Sequence, residues 1–190
     1  MKFWIKGTQI NISYIFISLF TLYIATDRTG IVLPMLISFG LHELGHIIFI
    51  YYFGSRIKNI SLRPGCFGIE YDDNLDIIEK ILSVAAGPIF NIIVGLVFYS
   101  LNIEFGILNY VVAFYNLLPI NGMDGGTLIK IILGLALENN RVEAIMKIIN
   151  VIMILIAVTI LILACVRGYK VYTLIIFCIS LSVPIFLKNC

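Results

Sequence analysis

Residues 31–53 read IVLPMLISFGLHELGHIIFIYYF, a stretch without lysine or arginine whose ionisable groups near neutral pH are His42, Glu43 and His46. A helix of this length crosses the roughly 30 Å hydrocarbon core of a bilayer. Ionisable groups near a helix centre cost about 3 kcal/mol each on insertion scales, so three of them within five residues require a compensating role. Residues i and i+4 share a helix face, so His42 and His46 can present both imidazoles to one zinc ion while Glu43 stands just off that face to serve a water. They are the only histidines of the chain. The pattern points to hydrolysis, with a peptide bond inside the bilayer as the obvious target.

Working outward, the composition agrees with a membrane setting. Hydrophobic residues make up 61% of the 190, charged residues 13%, and the mean hydropathy is +1.05, too apolar for a soluble globular domain. The net charge of +2 comes from scattered basic residues, which excludes an electrostatic footprint for nucleic acid. Cys66, Cys165, Cys178 and Cys190 form no CxxC. They suggest neither a zinc ribbon nor a disulfide framework and are expected as buried small hydrophobes. Lys2 and Lys6 precede an apolar run from about Ile10 to Ala25, but Tyr23-Ile24-Ala25-Thr26 offers no A-x-A cleavage site, so the run reads as a retained helix.

At about 20 apolar residues per crossing, six candidate helices follow: about 9–26, 31–53, 76–101, 105–119, 142–166 and 170–187. The expected class is an all-α polytopic membrane protein with about six transmembrane helices. With both termini inside, Lys2, Lys6, Arg56, Lys58, Arg63, Lys80, Lys130, Arg141, Lys147 and Lys188 fall on the cytoplasmic side, leaving only Arg28, Arg167 and Lys170 outside, as the positive-inside rule requires. The second helix then runs inward, and both it and the fourth bring their polar residues toward the cytoplasmic face. The two longest polar connections, about 54–75 and 120–141, are too short for separate folded domains. One integral membrane domain over 1–190 is expected, with its motifs in about 31–130 and no PDZ domain. In the first connection, Ile57, Ile60, Leu62, Arg63-Pro64-Gly65, Phe67, Ile69 and Tyr71 predict a short membrane-associated β-hairpin after the second helix.

A catalytic zinc keeps three protein ligands and an open position, so the histidines need a partner. Among the remaining acidic residues Asp124 fits best, in Asn116-Leu117-Leu118-Pro119-Ile120-Asn121-Gly122-Met123-Asp124-Gly125-Gly126. There proline ends a helix and glycines let the backbone bring a carboxylate close. The competing reading is an ordinary cap for a helix starting at Thr127.

Three ordered motifs resemble those of the site-2 protease group of intramembrane zinc metalloproteases. Phe39-Gly40-Leu41-His42-Glu43-Leu44-Gly45-His46 is similar to its first motif, Gly87-Pro88-Ile89-Phe90-Asn91 to its GPxxN motif, and Asn116 through Gly126 to its NxxPxxxxDGG motif. The resemblance implies one zinc per chain held by His42, His46 and Asp124, with Glu43 as general base and then general acid. Asn91 becomes a candidate for binding the substrate backbone or the oxyanion, against the alternative of tying helices together. Asn116 suits stabilising the broken helix end. The hairpin resembles the family's membrane-associated hairpin, whose free edge takes up an unwound substrate strand.

Within the family the chain is most similar to the bacterial subgroup of stage IV sporulation protein FB, without its C-terminal CBS domain. That likeness implies a bacterial cell-membrane enzyme with an inward-facing site. It also implies a membrane-associated precursor, a sporulation pro-sigma factor, as substrate, while a compact protease with no regulatory domain of its own invites control in trans by inhibitory membrane proteins. Asn121-Gly122-Met123 departs from the proline and leucine common before the aspartate, which predicts a looser loop.

Two other readings stay open. A prenyl-protein type metalloprotease would draw its third ligand from Glu70, Glu79, Glu104, Glu138 or Glu143. A zinc transporter or sensor would use the same His/Glu/Asp cluster for binding, and should continue it through further buried ionisable groups. A di-iron hydroxylase needs more histidines than two.

Overall fold

The computed structural model describes residues 1–5, 7–63, 66–72 and 74–167, so the expected helix at 170–187 lies outside the described residues. The chain forms two compact units, Met1–Leu117 and one beginning at Leu118.

The first unit opens with a hairpin, β1 (Lys2–Ile5) and β2 (Thr8–Ile12), followed by helices α1 (Tyr14–Thr26) and α2 (Val32–Tyr52). A second hairpin, β3 (Ile57–Arg63) and β4 (Cys66–Tyr71), leads to α3 (Ile77–Tyr99) and α4 (Ile103–Asn116). The four strands form one sheet in the order β1-β2-β3-β4, antiparallel within each hairpin and parallel where β2 meets β3. The hairpin expected at 57–71 is present. The expected helical protein with a hairpin after the second helix has a larger sheet than foreseen, and the start of the first helix is corrected: residues 9–12, read as helix, are strand. The reason lies in polar pairing: Asn11 Nδ2 donates to Asn59 Oδ1 (2.7 Å) and the Thr8 hydroxyl to the Ile57 carbonyl (2.9 Å). Those groups would have no partners inside a membrane helix.

Asp27 makes the turn from α1 into α2. Its Oδ1 accepts the N–H groups of Thr29 (2.8 Å) and Gly30 (3.1 Å) and the Thr29 hydroxyl (2.6 Å), and its Oδ2 accepts the Val32 N–H (3.0 Å). These donors, the Thr29 hydroxyl first, hold the carboxyl below its ordinary value of 3.8. Pro34 then falls in the first turn of α2, where its missing N–H has no helical acceptor to serve. Helix α3 starts from a capping box in which the Asp76 N–H donates to Glu79 Oε2 (2.9 Å).

Burial in α2, α3 and α4 follows helical periodicity, but most of the buried residues are small or polar. The buried residues are Ser38, His42, Gly45, His46 and Ile50 on α2, Ser83, Ala86, Gly87, Pro88, Asn91 and Gly95 on α3, and Gly106, Asn109, Val112 and Ala113 on α4. The large apolar side chains, including Leu33, Ile37, Ile48, Ile93, Leu96 and Val111, point outward. This inversion of a soluble core is what a lipid solvent selects, since close helix contact then depends on small residues and internal hydrogen bonds.

The second unit holds α5 (Asp124–Gly134) and α6 (Asn139–Val166). Helix α5 is a correction, because 120–141 was read as a polar connection; its apolar residues Leu128, Ile129, Ile131, Ile132 and Leu133 are interrupted by Lys130 and framed by polar and glycine residues. Cys165, expected to be buried, is exposed on α6. Among the described residues, α2, α3 and Asn139–Leu163 of α6 are long and apolar enough to cross a membrane. Helix α4, at 14 residues, is about 21 Å long and falls short by itself.

Candidate metal centre

The periodicity that makes α2 apolar outside places His42 and His46 one turn apart on its inner face, 2% and 8% exposed. Their Nε2 atoms stand 3.2 Å apart, with ring planes inclined at 80°. The Ser83 carbonyl of α3 lies 2.8 Å from His46 Nδ1. A carbonyl can only accept, so the His46 proton sits on Nδ1 and the Nε2 lone pair is directed at His42. Two nitrogens held at 2.0–2.1 Å by one tetrahedral zinc would lie about 3.3 Å apart. The spacing seen here fits a shared ion.

Gly87 explains how α3 approaches so closely. A Cβ built there would lie 2.6 Å from His46 Cε1, 2.9 Å from His42 Cε1 and nearer still to His46 Nε2. One turn away in the same interface, a Cβ at Gly45 would lie 2.7 Å from the Ala86 carbonyl oxygen and 2.9 Å from Phe90 Cβ. The sequence marked Gly87 only as the first residue of the GPxxN-like motif; the structure makes Gly87 the floor under both imidazoles. The carbonyl of Ser83 had no sequence signal, because any residue supplies one.

Glu43 is half-buried on α2 between the two histidines. Asn91 is fully buried, and its Nδ2 donates to the Ser38 carbonyl (3.0 Å) and to Asn109 Oδ1 (3.1 Å). Asn109 in turn donates to the Phe105 carbonyl at 2.9 Å. Asn91 therefore joins α2, α3 and α4, and both of its amide hydrogens are engaged. Asn116 closes the end of α4 by donating to the Val112 carbonyl at 3.0 Å.

Asp124 belongs to the second unit and is half-buried at the first residue of α5. Met123 occupies the cap position, so the helix begins before Thr127 and the Asp124 side chain is not its N-cap. A carboxylate in the first turn is favoured by the helix dipole. The loop before it is closed: the Met123 N–H returns to the Ile120 carbonyl (3.1 Å), and the Thr127 N–H (3.0 Å) and hydroxyl (3.1 Å) both reach the Met123 carbonyl.

An inverted helical core and a buried His-Glu-His helix floored by glycine define a membrane protein with the fold of the site-2 proteases. The chain matches the site-2 protease from Methanocaldococcus jannaschii with a TM-score of 0.68 at 23% identity, over 97% of this chain and 92% of that one. In sequence it is similar to a zinc metalloprotease of Methanocaldococcus jannaschii, 30% identical over 112 residues, which is 52% of this chain and 33% of the relative. It is also similar to stage IV sporulation protein FB of Bacillus subtilis, 31% identical over 116 residues, 55% of this chain and 40% of that protein. The matches thus span between a third and two-fifths of these relatives' lengths. No protein-family model matches the chain. The resemblance read from the three motifs is borne out by these relatives and by the shared fold.

Proposed function

We propose that this chain is an intramembrane zinc metalloendopeptidase that hydrolyses a peptide bond of a membrane-associated protein precursor near the cytoplasmic face. The observation that carries the reading is the buried His42–His46 pair, spaced at 3.2 Å with the His46 tautomer set by the Ser83 carbonyl. His42, His46 and Asp124 would hold one zinc ion. Zinc, when bound, lowers the pKa of a water toward about 7 and polarises the scissile carbonyl. Glu43 would be the proton carrier, acting as general base toward the attacking water and as general acid toward the leaving amine nitrogen. Ser83 and Gly87 keep the rings aimed. Asn91 has spent its two hydrogens, while its Oδ1 is buried with no hydrogen-bond partner among the described residues. It is thus better suited to accept a substrate backbone N–H than to donate to the oxyanion.

The enzyme sits in a bacterial cell membrane with both termini inside. Parallel pairing of β2 with β3 supports this, because it keeps residues 8–12 on the same face as the connection between α2 and α3, where Arg56, Lys58 and Arg63 gather. The similarity to a sporulation protein supports a pro-sigma factor as precursor, with inhibitory membrane proteins acting in trans. The test is co-expression of single-span substrates with wild type, Glu43→Gln and Asp124→Asn, reading cleavage by gel shift and zinc by elemental analysis. Glu43→Gln should keep its zinc and lose at least 100-fold in cleavage, and Asp124→Asn should lose zinc. Unaltered cleavage by Glu43→Gln sinks the proposal.

A further inference from the structure

Asn150 sits within the apolar length of α6, 3% exposed, in line with the buried Val142 and Met146 at four-residue spacing. An amide at such a place is costly unless it serves a partner. Its Oδ1 accepts the backbone N–H of Asn121 at 3.1 Å. Asn121 is the second residue of the turn Ile120–Met123, closed by the Met123 N–H on the Ile120 carbonyl and carried through Gly122 at φ 88°. That is the pattern of a type II turn, in which the N–H of the second residue takes no part and remains available to an outside acceptor. Beyond it, Thr127 bonds back to the Met123 carbonyl, and a Cβ at Gly126 would collide with the Ile120 carbonyl. Residues 120–127 therefore form one closed piece, and Asp124 rides on it.

We propose that Asn150 is a positioning residue, clamping this turn from α6 so that the Asp124 carboxylate is presented in one place to the metal. The inference rests on the ligand set proposed above. It also accounts for the departure at Asn121-Gly122-Met123. Gly122 adopts a left-handed φ that proline cannot reach, and the hydrogen bond from α6 restrains the turn from outside.

The test compares Asn150→Leu, which keeps the volume and deletes the acceptor, with Asn150→Asp, which keeps a carbonyl oxygen at the same place. Asn121→Pro deletes the donor at a turn position that proline favours, and reads the same bond should Asn150→Leu fail to fold. Zinc affinity is measured on the detergent-solubilised full chain by competition with a chromophoric chelator, and ligand geometry by the visible spectrum of the cobalt-substituted protein. The expected result is a loss of zinc affinity of about tenfold or more in Asn150→Leu and Asn121→Pro, with an altered cobalt spectrum, a larger fall in kcat than rise in KM, and recovery in Asn150→Asp. Wild-type affinity and spectrum in Asn150→Leu and Asn121→Pro overturn the proposal, as does an equal loss in Asn150→Leu and Asn150→Asp. If these variants keep zinc while Asp124→Asn loses it, only the positioning role falls; if Asp124→Asn keeps zinc at wild-type affinity, the ligand set falls and takes this inference with it.

Discussion

Replacing Gly87 by alanine adds one methyl group directly beneath the paired imidazoles. The new Cβ would lie 2.6 Å from His46 Cε1 and 2.9 Å from His42 Cε1, against an optimal carbon separation of about 3.5–4.0 Å. The rings or helix α3 must therefore retreat by about 1 Å. Forcing a methyl into a packed interior costs about 1–3 kcal/mol, and alanine returns about 1 kcal/mol through its better helix propensity, so the net loss of fold stability is small. The effect on the site is larger: displacement of a reacting group by about 1 Å costs on the order of 100-fold in rate. Gly87→Ala should thus unfold within a few degrees of wild type yet lose zinc and cleave at about one hundredth of the rate. Gly40→Ala is the control, since its Cβ meets nothing within 4 Å on the same helix as the histidines. Thermal unfolding in detergent, elemental analysis and gel-shift cleavage give the three readouts. Full zinc content and wild-type cleavage in Gly87→Ala would refute the assignment of Gly87 as the floor of the metal centre.

Two further outcomes follow from bonds outside the ligand set. Asn91→Leu leaves the Ser38 carbonyl and Asn109 Oδ1 without their donor and should destabilise the first unit by about 1–3 kcal/mol; the double variant with Asn109→Leu should cost less than the sum, and strict additivity in thermal unfolding would show that the two amides are not coupled. Asp27 has its pKa lowered in the folded chain, chiefly by the Thr29 hydroxyl and the Val32 N–H, so its contribution is present above the ordinary carboxylate pKa and disappears as pH falls through the lower folded value. Hydrogen-exchange protection factors at Thr29, Gly30 and Val32, taken relative to the intrinsic rate at each pH, should fall on acidification through that window, and in Asp27→Asn should already be low near neutral pH; equal protection in both proteins would count against the turn.

The parts of the fold legible in the sequence are those with a strong period or a fixed spacing. Helix α2 and its His42-Glu43-His46 arrangement followed from length and i,i+4 geometry, and the hairpin at β3 and β4 from alternation around Arg63-Pro64-Gly65. The first hairpin was hidden because Ile10 and Ile12 run without a break into the apolar α1. Only Gln9 and Asn11 marked the strand, and their meaning depends on Asn59, 48 residues away from Asn11. Helix α5 was masked by the Gly-, Pro- and Asn-rich residues before it. In the site, side-chain chemistry was readable and backbone chemistry was not: the Ser83 carbonyl, the empty space at Gly87 and the Asn121 N–H are properties of where the chain passes.

The parallel pairing of β2 with β3 also fixes an order of events. Residues 8–12 are synthesised long before Gln9 to Ile12 can meet Asn59 to Leu62, with α1 and α2 laid down between them. The sheet can close only after α1 and α2 have brought the chain back alongside β2. Until then the leading strand waits with its hydrogen-bonding edge open. Closure of the sheet thus records that α1 and α2 have brought the two hairpins side by side. A chain in which β2 and β3 failed to meet would carry two unpaired strand edges, a ready template for wrong pairing.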